Sequence, residues 1–256
     1  MRSSGPDAVA DRVAVVTGAA GQIGRCLVDT LTARSYDVVG LDLPAACSGD
    51  PRLRGCDLTD DEQVASVVAG VVDEKRRIDL LIHSAGLSAI GSFTDHDMTV
   101  HRKVMDVTHF GAVSVTQAAL PGLQKARGRV VLIGSVTGFA PVLGRPPYVA
   151  AKHAVTGLFT AIRPELEQQG IGVTIVHPTF VTGGMSEAAR GGERTTSGPE
   201  VTPQDVADAL LDGVAHGRDL VLVGRTAKLS WTVNRLAPGL YVKLMLRRLR
   251  SERGAA

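Results

Sequence analysis

Short apolar runs alternate along this chain with longer stretches in which apolar positions recur every three or four residues. Val13-Ala14-Val15-Val16-Thr17 is almost continuously apolar, the pattern of a central parallel strand covered on both faces. Comparable runs at Asp37–Leu41, Leu80–His83, Arg129–Gly134, Gly172–His177 and Leu220–Val223 predict further strands. The helical period between them predicts helices at about Ile23–Arg34, Glu62–Arg76, Met98–Ala126, Tyr148–Gln169 and Gln204–Gly217. In the second of these, Val64, Val67, Val68, Val71 and Val72 form one stripe for a sheet face. Asp60 or Asp61 can cap its start, and Lys75-Arg76-Arg77 meets its negative end. Strand–helix alternation sustained over most of the chain predicts a doubly wound parallel α/β sheet with right-handed crossovers. We read one domain over residues 11–223, preceded by a flexible N-terminus (1–10) and followed by a helical extension (224–256).

Composition narrows the function classes. A chain of 256 residues, 44% hydrophobic, can bury a large core without a disulfide or metal staple. A net charge of +2 does not suggest a nucleic-acid partner. The three cysteines, Cys26, Cys47 and Cys56, show no C-x-x-C spacing, and the histidines form no H-E-x-x-H pair, so no metal site is expected. The first residues lack the apolar core of a signal peptide, and no apolar run is long enough to span a bilayer. The expectation is a cytoplasmic protein.

After the first strand comes Thr17-Gly18-Ala19-Ala20-Gly21-Gln22-Ile23-Gly24. Gly18 permits a tight turn, Gly21 lets the backbone approach a pyrophosphate, and Gly24 permits close helix–strand packing. The N–H groups at the helix start, around Gln22 and Ile23, can then hold anionic phosphates. Asp42 follows at the end of the second strand, within reach of an adenosine ribose. Its carboxylate would repel a 2′-phosphate, and no arginine follows in Leu43-Pro44-Ala45-Ala46. The charges therefore favour NAD over NADP, with Arg25 the nearest rival cation.

Tyr148 and Lys152 open the helix after the fifth strand, one turn apart on one face. A phenol with a pKa of about 10 is a poor proton donor and acceptor at neutral pH. A neighbouring ammonium would draw that value down into the useful range. Ser135 ends the preceding strand and can share a substrate oxygen with the phenol.

Together these motifs resemble the short-chain dehydrogenase/reductase family, over about Arg12 to Val223. The resemblance rests on the Thr17–Gly24 turn, Asp57-Leu58-Thr59, His83-Ser84-Ala85-Gly86, Ser135, Tyr148/Lys152 and His177-Pro178. It implies a Rossmann-like fold and a hydride-transferring enzyme. It implies Tyr148 as general acid–base, Ser135 as the holder of the substrate oxygen, and Lys152 on the nicotinamide ribose. It further implies adenine contacts at Asp57 and Leu58, and a cofactor-lining backbone at Ala85, Gly86 and Pro178. A homodimer or homotetramer is expected by the same resemblance.

The chain departs from the family pattern at several positions. His83 and Ser84 stand where asparagine is usual. Thr108, three residues before Gly111, occupies the fourth catalytic position, where asparagine holds a water in a proton relay. A threonine hydroxyl or a backbone carbonyl would have to hold it here. The usual Pro-Gly reads Pro178-Thr179, and Thr182 is assigned to the nicotinamide amide although it falls one position early. Gln22 replaces the middle glycine of the commonest branch. The resulting spacing resembles the extended branch, with its epimerases and dehydratases, but only a short extension follows the last strand. An alcohol/ketone oxidoreductase is therefore favoured over an epimerase or dehydratase, and over a cofactor-binding sensor without turnover.

The substrate is expected above the nicotinamide, against Leu87–Phe93, Val136–Leu143 and Phe180–Arg190. Phe139, Pro141, Val142, Leu143, Phe180 and Met185 suggest an apolar wall and a lipophilic, steroid-like or fatty substrate, with Arg145 and Arg190 as exceptions. The glycine-rich stretch Met185–Pro199 suggests a lid. Lys228–Arg253 carries seven cationic side chains against one acid, Glu252, with leucines at helical spacing. Such a segment can lie on an anionic membrane. The plainer reading, a helical pair packed over the cleft or a neighbouring subunit, is favoured.

Overall fold

The computed structural model describes residues 12–183 and 198–253. Seven strands form one parallel sheet: β1 (Arg12–Thr17), β2 (Tyr36–Asp42), β3 (Leu53–Gly55), β4 (Leu80–His83), β5 (Arg129–Ile133), β6 (Gly172–Pro178) and β9 (Leu220–Val223). Their order is β3-β2-β1-β4-β5-β6-β9. The winding direction reverses between β1 and β4, which opens a crevice at their C-terminal ends. A separate two-stranded ribbon pairs β7 (Phe180–Val181) with β8 (Glu200–Val201). The predicted doubly wound sheet is present. Only β3, β7 and β8 escaped the sequence pattern, because strands of two or three residues show no period.

Helices cover both faces. On one side lie α2 (Asp61–Lys75), α4 (Gly111–Ala126) and α5 (Pro146–Gln168). Val64, Val68 and Val71, Val115 and Leu123, and Val155 and Phe159 pack there against Val15, Leu81 and Leu132. On the other side α1 (Gln22–Ala33) and α6 (Pro203–Ala215) press Leu27, Leu31, Val206 and Leu210 onto Val16, Ile82 and Val131. The strand residues alternate between the two cores, which explains their continuous apolar runs. Asp60 is the cap of α2, accepting the Gln63 N–H at 3.0 Å. Lys75 pairs with Asp37 at 2.7 Å, and Arg76 takes the left-handed conformation that ends the helix.

The single helix predicted over Met98–Ala126 is interrupted. It runs as α3 (Met98–Met105), a π-helical turn at Asp106–Phe110, and then α4. A widened turn of this kind re-aims side chains and recurs at functional sites. Here it carries Thr108, which is buried. After β9 the chain continues as α7 (Arg225–Leu236) and α8 (Pro238–Arg253).

Two buried histidines tie layers together. The Nε2 of His83 lies 2.8 Å from the Thr116 hydroxyl, which itself donates to the Ala112 carbonyl at 2.7 Å. That hydroxyl therefore accepts from the ring. His177 Nδ1 accepts the Ser135 backbone N–H at 3.0 Å. Burial pushes His83 down to about 3 and His177 down to about 4. Both folded values lie below the unfolded value of about 6.5, so the unfolded chain binds more protons in the interval. Their contribution is complete above pH ~6.5 and is lost as pH falls towards their folded values. The unfolding free energy from urea titration should accordingly drop between about pH 6.5 and about pH 4, by up to ~1.4 kcal/mol per pH unit for each ring. The His83→Gln variant should show a shallower slope; an unchanged slope would remove this ring from the account.

Candidate active site

The β1–α1 turn packs directly on the segment after β4. Gly18 has φ +66°, and a Cβ there would stand 2.7 Å from the Ala85 Cα. The Thr17 hydroxyl accepts the Ala85 N–H at 3.3 Å. A Cβ on Gly24 would come within 2.0 Å of the Gly18 carbonyl oxygen, so the helix can approach only with glycine there. At Gly21 the nearest such contact is 3.2 Å, and the residue faces the cavity. Gly21 is the N-cap of α1, which has no side-chain cap and no acidic residue in its first turn. The first amides and the positive end of the helix dipole are left for an anion. Gln22, Ile23 and Gly24 line the same wall. The Gln22 carboxamide lies against Gly183, where a Cβ would collide with it.

At the end of β2, Asp42 lines the cavity and is held by two backbone donors. Its carboxylate accepts the Ala20 N–H and the Leu43 N–H, each at 2.8 Å. A carboxylate has about four lone-pair sites, so acceptor capacity remains for ribose hydroxyls. Arg25 is not among the lining residues; its Nε donates to the Ala20 carbonyl at 2.6 Å. Asp57 accepts from the Thr59 N–H and hydroxyl, which hold its carboxyl below the ordinary range. Asp57 and Leu58 line the adjoining wall. This surface fits a dinucleotide: amides for a pyrophosphate, a fixed carboxylate for a ribose, and a glycine-lined floor.

Tyr148 and Lys152 stand on the first turns of α5, with 6% and 4% exposure. Lys152 Nζ donates to the Ile133 carbonyl at 2.7 Å and lies 5.8 Å from the centre of the Tyr148 ring. Burial lowers its pKa to about 8. Burial raises the Tyr148 phenol; the Arg145 guanidinium and the Ser135 and Thr137 side chains pull it back. The Lys152 ammonium, expected from sequence to acidify the phenol, stands one helical turn on, and the Arg145 guanidinium and these hydroxyl side chains add to the groups around that phenol. Ser135 begins the turn after β5, its Oγ accepting the Thr137 N–H at 3.2 Å. Thr108 stands behind Gly86: its Oγ1 and the Lys152 Nζ would both lie 3.6 Å from a Cβ on that glycine. The Thr108 hydroxyl accepts the Leu87 N–H at 3.2 Å.

Apart from Thr108, which is buried behind its wall and does not line it, these groups share one cavity of about 1120 Å³. It brings together Gly18, Gly21, Gln22, Ile23, Gly24, Asp42, Asp57, Leu58, Ala85, Gly86, Ser135, Tyr148, Lys152 and Pro178. Thr182 does not line it; the residue sits on the β7–β8 ribbon, donating its N–H to the Val201 carbonyl at 2.9 Å. Thr179, Phe180, Val181 and Gly183 line the cavity from that side. Of the expected apolar wall, Val142 and Phe180 are present, with Leu87 and Ile90. Phe139 points elsewhere, packing edge-on against His177 and Trp231 at 5.0 and 4.9 Å between ring centres. Met185 and Arg190, with residues 185–197 of the lid suggested over Met185–Pro199, lie outside the described residues.

The extension completes the site. Thr226 and Ser230 of α7, and Tyr241 and Met245 of α8, line the cavity. Asn234 donates to the Phe139 carbonyl at 2.7 Å, fixing α7 to the turn that carries Ser135. No sequence period marks these four residues as ligand-facing, because their approach depends on how α7 and α8 fold back.

The chain matches the short chain dehydrogenase family over residues 12–194. It belongs to that family. A dehydrogenase/reductase SDR family member 7B from Xenopus tropicalis is 31% identical, over 95% of this chain and 87% of that protein. A short-chain dehydrogenase from Burkholderia cenocepacia J2315, solved with NADP, superposes with a TM-score of 0.81 at 26% identity, covering 92% of this chain and 98% of that one. A short-chain dehydrogenase/reductase from Burkholderia phymatum, solved with NAD, shares the fold with a TM-score of 0.77 at 19% identity, covering 90% and 95%. The chain is thus an oxidoreductase of a family that uses NAD(P).

The Gly18→Ala substitution would force a methyl group onto Ala85 at a left-handed φ. Strain of about 1–3 kcal/mol should weaken NADH and NADPH binding by about tenfold or more in calorimetric titration; unaltered affinity would show that this turn does not carry the cofactor.

Proposed function

We propose that this short-chain dehydrogenase/reductase interconverts a lipophilic secondary alcohol and its ketone, using NAD in preference to NADP. The observation that carries the reading is that Ser135, Tyr148 and Lys152 line the same cavity as Gly18, Gly21 and Gly24. Nicotinamide, when bound, accepts or supplies the hydride. Tyr148 takes the alcohol proton in oxidation and returns it in reduction. The Ser135 hydroxyl orients the substrate oxygen beside the phenol. An ammonium has three donors, and Lys152 gives one to Ile133, which leaves donors for ribose hydroxyls. Thr108, next to Lys152 across Gly86, takes the asparagine's place in passing the proton onward.

NAD is supported by Asp42, whose rigidly held carboxylate lines the adenosine half of the cavity. A 2′-phosphate there would meet a like charge. The two Burkholderia neighbours, one with NADP and one with NAD, leave the choice to local residues. A lipophilic substrate is supported by Ile90, Val142, Phe180 and Met245 along the remaining wall. A homodimer or homotetramer in the cytoplasm completes the reading.

Two substitutions test it. Tyr148→Phe should keep NADH binding and lower turnover at least ~100-fold across a panel of secondary alcohols and ketones, followed at the nicotinamide absorbance. Near-normal turnover would displace Tyr148 as the acid–base. Asp42→Ala should shift the ratio of kcat/KM values towards NADPH by about tenfold or more; an unmoved ratio would refute the role given to that carboxylate.

A further inference from the structure

The α7–α8 hairpin has two different faces. One supplies Thr226, Ser230, Tyr241 and Met245 to the cavity. The other carries apolar side chains in solvent: Leu229 at 66% exposure, Leu236 at 79%, Leu240 at 51% and Leu244 at 46%. Of the ten exposed large hydrophobic residues in the described part of the chain, six lie between Leu229 and Leu246. They are therefore a concentration, where isolated exposed leucines would need no explanation.

The charge around them has one sign. From Arg225 to Arg247 the sequence carries Arg225, Lys228, Arg235, Lys243 and Arg247 and no carboxylate. None of these five takes part in an ion pair among the described residues. In α8, Leu240, Lys243, Leu244 and Arg247 follow at three- and four-residue steps, which interleaves leucine and cation on one side of the helix.

We propose that this face docks on an anionic lipid bilayer surface. A bilayer supplies both things the face lacks, an apolar layer for the leucines and negative headgroups for the lysines and arginines. A second copy of the chain is the poorer occupant. An isologous contact would set the same cationic patch against itself. The attachment is peripheral, since no helix among the described residues is long and apolar enough to cross a membrane. Because Tyr241 and Met245 lie on the same helix as Leu240 and Leu244, docking brings one wall of the cavity close to the lipid. The inference stands on exposure and charge, independently of the substrate assigned above.

Flotation of the full chain with vesicles tests it. Vesicles of phosphatidylcholine containing phosphatidylserine should carry the protein, vesicles of phosphatidylcholine alone should carry at least about tenfold less, and high salt should release it. The Lys243→Glu/Arg247→Glu pair and, separately, the Leu240→Ser/Leu244→Ser pair should each cut the bound fraction by about tenfold or more, with melting temperature and NADH affinity unchanged. These side chains lie outside the cavity lining, so either pair serves if the other fails to fold. Equal binding to both vesicle types, or none, would overturn the proposal. So would a fall in native mass in the charge-reversed variant without vesicle binding by the parent, which would make the face a subunit contact.

Discussion

The hydrogen bond from the Lys152 ammonium to the Ile133 carbonyl joins the first turns of α5 to the last residue of β5. A buried ammonium without such a partner would be too costly to keep charged, and burial already draws Lys152 down to about 8. The bond fixes where α5 begins relative to the sheet. Tyr148, one turn earlier, is thereby set above the switch point between β1 and β4. Ser135, two residues beyond Ile133, enters the same space. The wall formed by Ser135, Tyr148 and Lys152 is in this sense an extension of one strand end.

The opposite wall is built by exclusion. Side chains are missing at Gly18 and Gly24 because backbone occupies their Cβ positions, whereas Gly21 is open to the cavity. The first two glycines hold the turn against Ala85 and the helix against the strand, and Gly21, the uncapped N-cap, leaves the first amides of α1 accessible. The α7–α8 hairpin closes the third side. Its hold on the site runs through the Asn234 bond to Phe139 and the packing of Trp231 against Phe139 and His177, whose ring accepts the Ser135 N–H. A segment that adds no strand to the sheet thus touches the turn that bears Ser135.

Much of this was legible beforehand, for identifiable reasons. Continuous apolar runs reveal strands buried on both faces, so β1, β4, β5 and β9 stood out with nearly their observed limits. Glycines between strand and helix, an acid at the end of β2, and a tyrosine and lysine one turn apart are local patterns and survived folding unchanged. The π-helical turn at Asp106–Phe110 was invisible, because a single widened turn leaves the apolar spacing almost intact. Thr182 was misplaced relative to the cavity because the β7–β8 ribbon, with two residues per strand, turns it away and presents Thr179 instead. Phe139 packs on Trp231 instead of facing the cavity, and nothing near it in sequence announces a partner almost a hundred residues later.

Local sequence was enough for the sheet, its winding, the glycine turn after β1 and the tyrosine–lysine pair at the start of α5, since each depends on residues within a turn or two of one another. Tertiary structure decided what surrounds that pair. It placed Arg145 and Thr137 beside the phenol, Thr108 behind Gly86, and Tyr241 and Met245 across the cavity. It also decided which leucines of the extension are covered and which are left in solvent. Those outcomes depend on contacts between segments far apart along the chain, and a helical period specifies a stripe without specifying what will lie against it.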